Sequence, residues 1–227
     1  MKRARSAVAS VVASKAATTS PKRRVEPATT KRPVAAAVSS PSGYSVEGPT
    51  EAMMVPATAN CWLVKSEPHA FSIEDFKKEH ITQWDGIRNY EARNNMKAMK
   101  RGDRLLVYHS NAKPPGVVGL AIVEEEWYAD PIALDKKSEY YDPKATKENN
   151  RWAAIKARYD STLPRLVSLD EIRAAPKLSE IALIKRSRLS VVPVSRDEYH
   201  HILTMAGDGS TPIEAKNMFK KGHQHQH

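Results

Sequence analysis

Short apolar runs, each followed by polar and aromatic residues, divide the middle of this chain. One run, Cys61-Trp62-Leu63-Val64, stops at the charged sequence Lys65-Ser66-Glu67-Pro68. Runs of roughly four to eight apolar or alternating residues between turn residues are typical of β-strands. The proline-rich stretch 112–116 predicts a turn between two such runs, which would form a hairpin. We predict strands over residues 61–65, 104–110, 117–128, 152–159 and 189–194.

Short helices are predicted between and after these strands. Ser72, Ser168 and Ser195 each precede acidic residues, which is the pattern of a helix N-cap. We predict helices over residues 72–80 and 88–100, from Ser168, over 178–184, and from Ser195 to Gly207. Helices this few and this irregularly placed do not fit a doubly wound parallel sheet. The expected fold class is α+β, a small mixed β-barrel with short peripheral helices.

Composition separates this domain from both ends of the chain. Residues 1–59 are rich in Ala, Ser, Thr, Pro and Val, whereas residues 60–207 hold all four Trp. Residues 1–59 also carry nine Lys and Arg against three acids, which is +6 of the formal net charge of +10. Such a segment buries too little apolar surface to offset the entropy of ordering it. We predict a disordered basic tail over residues 1–59, one domain over 60–207 and a flexible C-terminal tail over 208–227.

The basic excess favours a polyanionic partner such as nucleic acid, or else it serves only to target the protein to a compartment. Three compact clusters, Lys2-Arg3-Ala4-Arg5, Lys22-Arg23-Arg24 and Lys31-Arg32-Pro33, predict binding to an import receptor and a nuclear location. An acid-poor start rich in Arg, Ser and Ala is also typical of a mitochondrial presequence, which stays open as the alternative. No run of about 18 apolar residues predicts a membrane span. The single cysteine, Cys61, excludes an intramolecular disulfide.

Three clusters of polar and aromatic residues point to one binding pocket. They are Lys65-Ser66-Glu67-Pro68, Trp84-Asp85-Gly86-Ile87-Arg88-Asn89-Tyr90 and Tyr108-His109-Ser110-Asn111. Each has a structural alternative: a salt-bridged turn, a core tryptophan before a tight turn, and a structural histidine. Their convergence favours recognition of a base, because amides hydrogen-bond base edges and Trp faces stack on bases. The common phosphate-loop, dinucleotide, nucleophile-elbow and zinc-protease motifs are absent, and we expect no metal or cofactor.

With further motifs at Tyr141-Asp142-Pro143 and from Arg188 to Val194, these clusters resemble the EVE domain, and within it the thymocyte nuclear protein family. The resemblance covers about residues 60–206. It implies a PUA-like fold, a small β-barrel with peripheral helices, that binds a modified base of DNA or RNA in a pocket. Carried over by motif, the base-binding residues would be Trp62, Lys65, Ser66, Glu67, Trp84, Arg88, Asn89, Tyr108, His109, Ser110 and Ser190, with Trp152 as a wall.

Three functions remain open at this stage. The first is a non-enzymatic, monomeric reader of a cytosine-derived base, stacked on Trp84 or another aromatic wall. The second is an amidohydrolase of the ASCH kind that acts on a modified nucleoside through Lys65 and Glu67, by fold analogy alone. The third is a nuclear protein-interaction module. For the reader, the predicted phosphate contacts are Arg93, Lys185, Arg186 and Arg188, with Arg88 at the base and backbone.

Overall fold

Seven strands and five helices are present in this computed structural model, which describes residues 7–8 and 51–207. The strands are β1 (Ala7–Val8), β2 (Cys61–Ser66), β3 (Ile81–Asp85), β4 (Arg104–His109), β5 (Gly116–Ala129), β6 (Ala153–Ser168) and β7 (Val191–Val194). The helices are α1 (Ile73–Glu79), α2 (Tyr90–Ala98), α3 (Leu169–Ala174), α4 (Ala182–Lys185) and α5 (Arg196–Ala206). Short 3-10 turns lie at Glu51–Met53, Pro131–Leu134 and Pro176–Leu178. The predicted α+β class is confirmed.

One mixed sheet contains all the strands in the order β1-β3-β6-β5-β4-β2-β7. β2 pairs with β4 in parallel and with β7 in the antiparallel sense, and β4, β5, β6 and β3 follow one another antiparallel. Within the described residues, β7 does not pair back to β3 or β1. The barrel expected from the sequence is therefore an open mixed sheet with short helices packed against it.

Both faces of the sheet are buried. Side chains alternate between the faces along a strand, so β2 contributes to two separate apolar clusters. Cys61 and Leu63 join the cluster that α5 covers, whereas Trp62 and Val64 join the cluster that α1 and α2 cover. Polar residues within the central strands are few, and the groups available for chemistry lie where the strands end.

Several predicted elements differ from the observed ones: β1 lies in the segment predicted to be a tail, and the helix predicted over 178–184 is α4 (Ala182–Lys185), with a 3-10 turn at Pro176–Leu178 before it. Two further strands also differ. β3 was not predicted, because Thr82, Gln83 and Asp85 leave no apolar run to detect. β6 was predicted to stop at residue 159 but continues to Ser168, because its second half pairs with the start of β5. The helices begin at or just after the predicted serine caps, and all three of these serines form a capping box.

The folded domain begins before residue 60. Ala52 is fully buried, and its carbonyl accepts a hydrogen bond of 2.9 Å from the hydroxyl of Tyr199 on α5. The predicted tail over 1–59 is therefore too long at its C-terminal end. The rest of that tail, apart from β1, and the predicted tail over 208–227 lie outside the described residues. No helix in the described ranges is long and apolar enough to cross a membrane.

Candidate nucleic-acid interface

The C-terminal ends of β2 and β4 bring two of the predicted polar clusters together. The two strands pair in parallel, with Lys65 opposite Tyr108 and Ser66 opposite His109. The amide of Ser110 donates to the Ser66 carbonyl over 2.8 Å. Parallel strands end at the same edge of a sheet, so the residues that follow them meet there. The strand-end cluster, as we name it, comprises Lys65, Ser66, Glu67, Tyr108, His109, Ser110 and Ser190.

Lys65 is a half-buried amine at this edge. Its Nζ donates to the carbonyl of Ser187 over 2.8 Å and lies 5.7 Å from the centroid of the Tyr108 ring. Burial lowers the pKa of Lys65 to about 8 and raises the pKa of Tyr108 to about 12. At pH 7 the amine therefore holds its proton by a small margin, and two of its three N–H groups are available to a ligand.

Ser66 and Glu67 are both buried but differ in their hydrogen bonding. The carboxylate of Glu67, a residue only 3% exposed, accepts from Asn111 Nδ2 over 2.6 Å and lies 3.2 Å from His69 Nε2. Ser66 Oγ is buried and makes no hydrogen bond to any described residue. A buried hydroxyl without a partner costs roughly 1–3 kcal/mol. Ser66 is thus the group of this cluster whose hydrogen-bonding capacity is unused.

His109 has a structural partner. Its Nε2 accepts a hydrogen bond of 3.2 Å from the amide of Ile73, the first residue of α1. Burial lowers the pKa of His109, which favours the neutral ring that this acceptor role requires. His109 therefore fastens the start of α1 to the end of β4.

A second group, which contains the predicted residues Arg88, Arg93 and Trp152, forms where the start of α2 meets the residues just before β6 and is built from rings and guanidinium groups. Tyr90 stacks on Trp152 with the ring centroids 5.2 Å apart and the planes inclined by 24°. Arg93 lies 4.7 Å from the centroid of Tyr90, and Arg88 and Arg151 lie 5.1 and 5.4 Å from that of Trp152. We name these five residues the aromatic–arginine cluster.

Buried acids hold this second cluster in place. Asp130 accepts from Arg88 over 2.7 Å and from the amide of Gly86 over 3.2 Å. Gly86 has φ of 73°, a conformation in which a residue with a side chain would be strained. Its Cα faces the Tyr140 ring. Arg88 also donates through Nε to the Tyr140 carbonyl over 2.8 Å. Its guanidinium is therefore used within the protein, and it positions the loop rather than contacting a base.

Asp142 likewise holds Arg151 and Trp152, the two residues just before β6, in place. Its carboxylate accepts from Trp152 Nε1 over 2.6 Å and from Arg151 over 2.7 and 2.9 Å. The amide of Lys144, the Trp152 indole and Arg151 together lower the pKa of Asp142 to about 2. The carboxylate is therefore charged across the physiological range and fixes the orientation of the Trp152 ring.

Two predicted aromatic walls belong to the core. Trp84 is fully buried and packs against Phe71 and Phe76, with ring centroids 6.4 and 6.1 Å apart. Trp62 is 7% exposed and donates from Nε1 to Asp103 over 2.8 Å. Neither ring offers a face to a base in this conformation, so the stacking on Trp84 expected from the sequence is wrong. Periodicity could not reveal this because β3, which carries Trp84, was not predicted.

Some of the remaining predicted residues pair within the protein, and others keep groups that are unpaired within the described residues. Asn89 is the N-cap of α2, and its Oδ1 accepts from two helix amides, which leaves its Nδ2 unpaired within the described residues. Lys185 pairs with Glu180 over 3.0 Å, and Arg186 pairs with Glu91 of α2. The exposed Arg188 has no ion pair in the part of the chain described.

The segment before β7 lies between the two clusters. The amide of Lys65 donates to the carbonyl of Ser190 over 2.9 Å, and the side chain of Ser190 is buried. From the other side, Arg186 reaches Glu91 on the first turn of α2. Residues 186–190 therefore contact both the strand-end cluster and the first turn of α2, next to Tyr90.

The sequence missed several residues of the interface. Tyr90 stood inside a quoted motif, but its ring was not singled out, and Arg151 directly precedes the predicted Trp152. Tyr140 lies in the long connection between β5 and β6, where no periodicity indicates which ring packs against the fold. Among residues 7–8 and 51–207, no group of three or more His, Cys, Asp or Glu is placed to hold a metal.

Comparison with known proteins identifies the family. The family model described as the EVE domain matches residues 60–205. Thymocyte nuclear protein 1 from Homo sapiens is 34% identical over 175 residues, which cover 66% of this chain and 78% of the relative. The fold matches a hypothetical protein from Leishmania major with a TM-score of 0.65 and 49% identity, over 67% of this chain and 98% of that one.

A third comparison concerns a protein solved with a ligand. Human THYN1 protein in complex with 5-methylcytosine-containing DNA matches with a TM-score of 0.62 and 34% identity, over 65% of this chain and 98% of that one. Both clusters lie within residues 60–205, the region that the family model matches. With its motifs, its open mixed sheet and these likenesses, this chain belongs to the EVE domain family.

Proposed function

We propose that this protein is a non-enzymatic, monomeric reader of a modified, cytosine-derived base in nucleic acid. The observation that carries the proposal is the likeness to human THYN1 protein, a relative solved in complex with 5-methylcytosine-containing DNA. The geometry supports it through one edge of the sheet that offers a protonated amine, an unpaired hydroxyl and a buried carboxylate side by side.

The strand-end cluster supplies the groups that would read the base edge. Lys65 donates from its two remaining N–H groups, and Ser66 Oγ both donates and accepts. Glu67 accepts, with its orientation fixed by Asn111. Donors and acceptors in fixed positions discriminate between base edges, because a wrong edge leaves buried polar groups unpaired.

The stacking surface is assigned to Tyr90 and Trp152 in place of Trp84. Tyr90 is 52% exposed, and its ring is inclined by 24° to the Trp152 ring on which it stacks. Base–aromatic stacking stabilises a complex by roughly 1–3 kcal/mol for each base. Arg188, which is exposed and unpaired, and Arg93, beside Tyr90, are the proposed phosphate contacts.

A direct binding experiment tests the proposal. We expect the full chain to bind a duplex with one 5-methylcytosine at least about tenfold more tightly than the unmethylated duplex, measured by fluorescence anisotropy. Lys65→Met removes this preference, whereas Lys177→Met, which removes an exposed lysine from the 3-10 turn Pro176–Leu178, leaves it unchanged. Equal affinity of the unaltered protein for both duplexes and for other cytosine modifications would contradict the proposal.

We also propose a nuclear location, reached through an import receptor that binds the basic clusters at the start of the chain. The support is the three clusters over residues 2–33 and the name of the relatives, thymocyte nuclear protein 1. Fluorescence imaging of residues 1–59 fused to a reporter tests it. Nuclear accumulation that is lost when Lys22, Arg23 and Arg24 become Ala supports the proposal, and a mitochondrial pattern contradicts it.

A further inference from the structure

We propose that the outer face of α2, continued by Trp127 of β5, binds single-stranded nucleic acid on one side of the modified base. The inference rests on the proposed function, since it adds a second contact surface to the same interface. We name the surface the α2 track, and it comprises Tyr90, Arg93, Lys97 and Trp127.

The α2 track places two cations, Arg93 and Lys97, between two aromatic rings, Tyr90 and Trp127. Tyr90, Arg93 and Lys97 are spaced by three and four residues, so they share one side of the helix. The Arg93 guanidinium lies 4.7 Å from the Tyr90 centroid, and Lys97 Nζ lies 4.4 Å from the Trp127 centroid. Cation–ring pairs at both ends of the helix hold the rings in fixed orientations, and both rings stay partly exposed to solvent.

Both rings are exposed without a structural reason. Tyr90 is 52% exposed and Trp127 is 42% exposed, and they are the exposed large aromatic residues among the described residues. Single exposed apolar residues are common on protein surfaces and need no explanation. Two aromatic rings, each beside a cation and joined by one helix, are instead the arrangement that binds unpaired bases and their phosphates.

The charge around the track is positive because nearby acids are neutralised by other bases. Glu91 pairs with Arg186, Glu125 with Lys156 over 2.5 Å, and Glu126 with Lys100 over 3.0 Å. Arg93 and Lys97 form no ion pair with any described residue. The Arg93 guanidinium donates to the neutral Asn94 Oδ1 over 2.7 and 3.1 Å and to the Arg151 carbonyl over 3.4 Å, so no carboxylate neutralises its charge. Both positive charges therefore remain able to attract phosphates.

The length of the track fits a short strand. Seven residues separate Tyr90 from Lys97, which at about 1.5 Å rise per residue is roughly 10 Å along the helix. Nucleotides stacked as in B-form DNA rise by about 3.4 Å each and unstacked ones span more, so at most about three nucleotides lie along this part of the track. A duplex keeps its bases stacked on each other, so the two rings favour a single strand.

The experiment compares two single-stranded DNAs that carry the same central 5-methylcytosine. One has five nucleotides, and the other has twelve because unmodified nucleotides extend both sides. We expect the full chain to bind the twelve-nucleotide strand more tightly in fluorescence anisotropy. Trp127→Ala should weaken binding of the longer strand by about fivefold to a hundredfold and leave the shorter strand unaffected. Trp127→Phe, which keeps a ring, should retain most of the gain.

Matched variants separate the track from general effects. Ile81→Ala truncates another exposed apolar side chain, on β3, and should change neither affinity. Lys97→Met should reduce the slope of log affinity against log salt by about 0.7 for the longer strand alone. A Trp127→Ala protein that loses no affinity for the longer strand, or loses the same factor for both strands, would overturn the inference.

The two proposals fail in different ways. If the five-nucleotide strand binds equally well with and without the methyl group, the proposed function fails, and a Trp127-dependent gain with length would still support the α2 track. If the methyl preference is present but extension of the strand adds no Trp127-dependent affinity, the track alone is wrong.

Discussion

Replacing Ser66 with Ala removes a buried hydroxyl that makes no hydrogen bond within the described residues. Because the desolvated group has no partner, its loss should leave the free energy of unfolding unchanged or raise it by about 1 kcal/mol. The same change removes a donor and acceptor from the proposed base site, so affinity for the methylated duplex should fall by about tenfold. Urea denaturation and anisotropy on the same protein measure both effects.

Ser110→Ala is the matched control for this prediction. Its Oγ donates to the Ser66 carbonyl over 3.2 Å, so its removal breaks a bond that the fold uses. We expect Ser110→Ala to lower the free energy of unfolding by about 1 kcal/mol. A Ser66→Ala protein that is destabilised to the same extent and binds normally would show that Ser66 serves the fold.

Lys65 gives the stability of the protein a specific dependence on pH. Its pKa is about 8 in the folded protein and has an ordinary value of 10.5, so between these values the unfolded chain binds more protons. Stability contributed by this residue therefore rises with pH across that window. We expect the stability of the unaltered protein relative to Lys65→Met to increase by about 1–3 kcal/mol from pH 7.5 to pH 10. Urea denaturation at both pH values measures it.

The control is Lys177→Met, for which the same difference should be constant over this range because Lys177 is exposed and the fold does not desolvate its amine. A constant difference for Lys65→Met as well would show that the Lys65 amine is as well hydrated as a surface lysine. In that case Lys65 would lack the partial desolvation that strengthens hydrogen bonds to a ligand.

At the scale of elements, the loop between β5 and β6 depends on the charge of Asp142. The pKa of Asp142 is lowered to about 2 from 3.8, so its contribution to stability is present above pH 4 and lost as pH falls toward 2. Asp142→Asn should therefore be less stable than the unaltered protein at pH 6, and the gap should close near pH 2. Urea denaturation at both values measures the gap.

Asp170→Asn is the control, because this carboxylate is 89% exposed and its contact with Arg173 is 3.4 Å long. Surface pairs of this kind contribute little, so no gap is expected at either pH. An Asp142→Asn gap that is as large at pH 2 as at pH 6 would mean that shape, rather than charge, holds Trp152 in place.

Elements with a local signal were predictable, and those defined by pairing were not. Ser72, Ser168 and Ser195 revealed three helix starts because capping is encoded within four residues. β3 and the second half of β6 carry no apolar run and exist because β5 and β6 supply hydrogen-bonding partners. Trp84 points into the core because it lies on β3, the strand that was not predicted. The predicted stacking residue was therefore wrong, although the motif that contains it lies at the interface.

At the scale of the whole molecule, the site forms because segments distant in sequence meet. The sequence indicated this meeting only through the family motifs. Lys65 and Tyr108 are 43 positions apart in sequence and adjacent only because β2 and β4 are parallel neighbours. Tyr90 and Trp152 meet because Asp142 fixes the loop that precedes β6. Hydrophobic periodicity predicts which elements form but not which of their ends share an edge.

The uneven charge of the chain predicts that its first segment and its folded domain contribute differently to binding. Residues 1–59 carry +6 and the remainder +4, so the first segment should contribute phosphate contacts that are independent of sequence and sensitive to salt. A chain that begins at residue 51 should therefore bind DNA more weakly at low salt, and its log affinity should fall less steeply with log salt. The ratio of methylated to unmethylated affinity should stay within about twofold, because the base is read by the folded domain. Anisotropy at several salt concentrations measures both quantities. Loss of the methylation preference in the shortened chain would mean that the tail, and not the strand-end cluster, recognises the base.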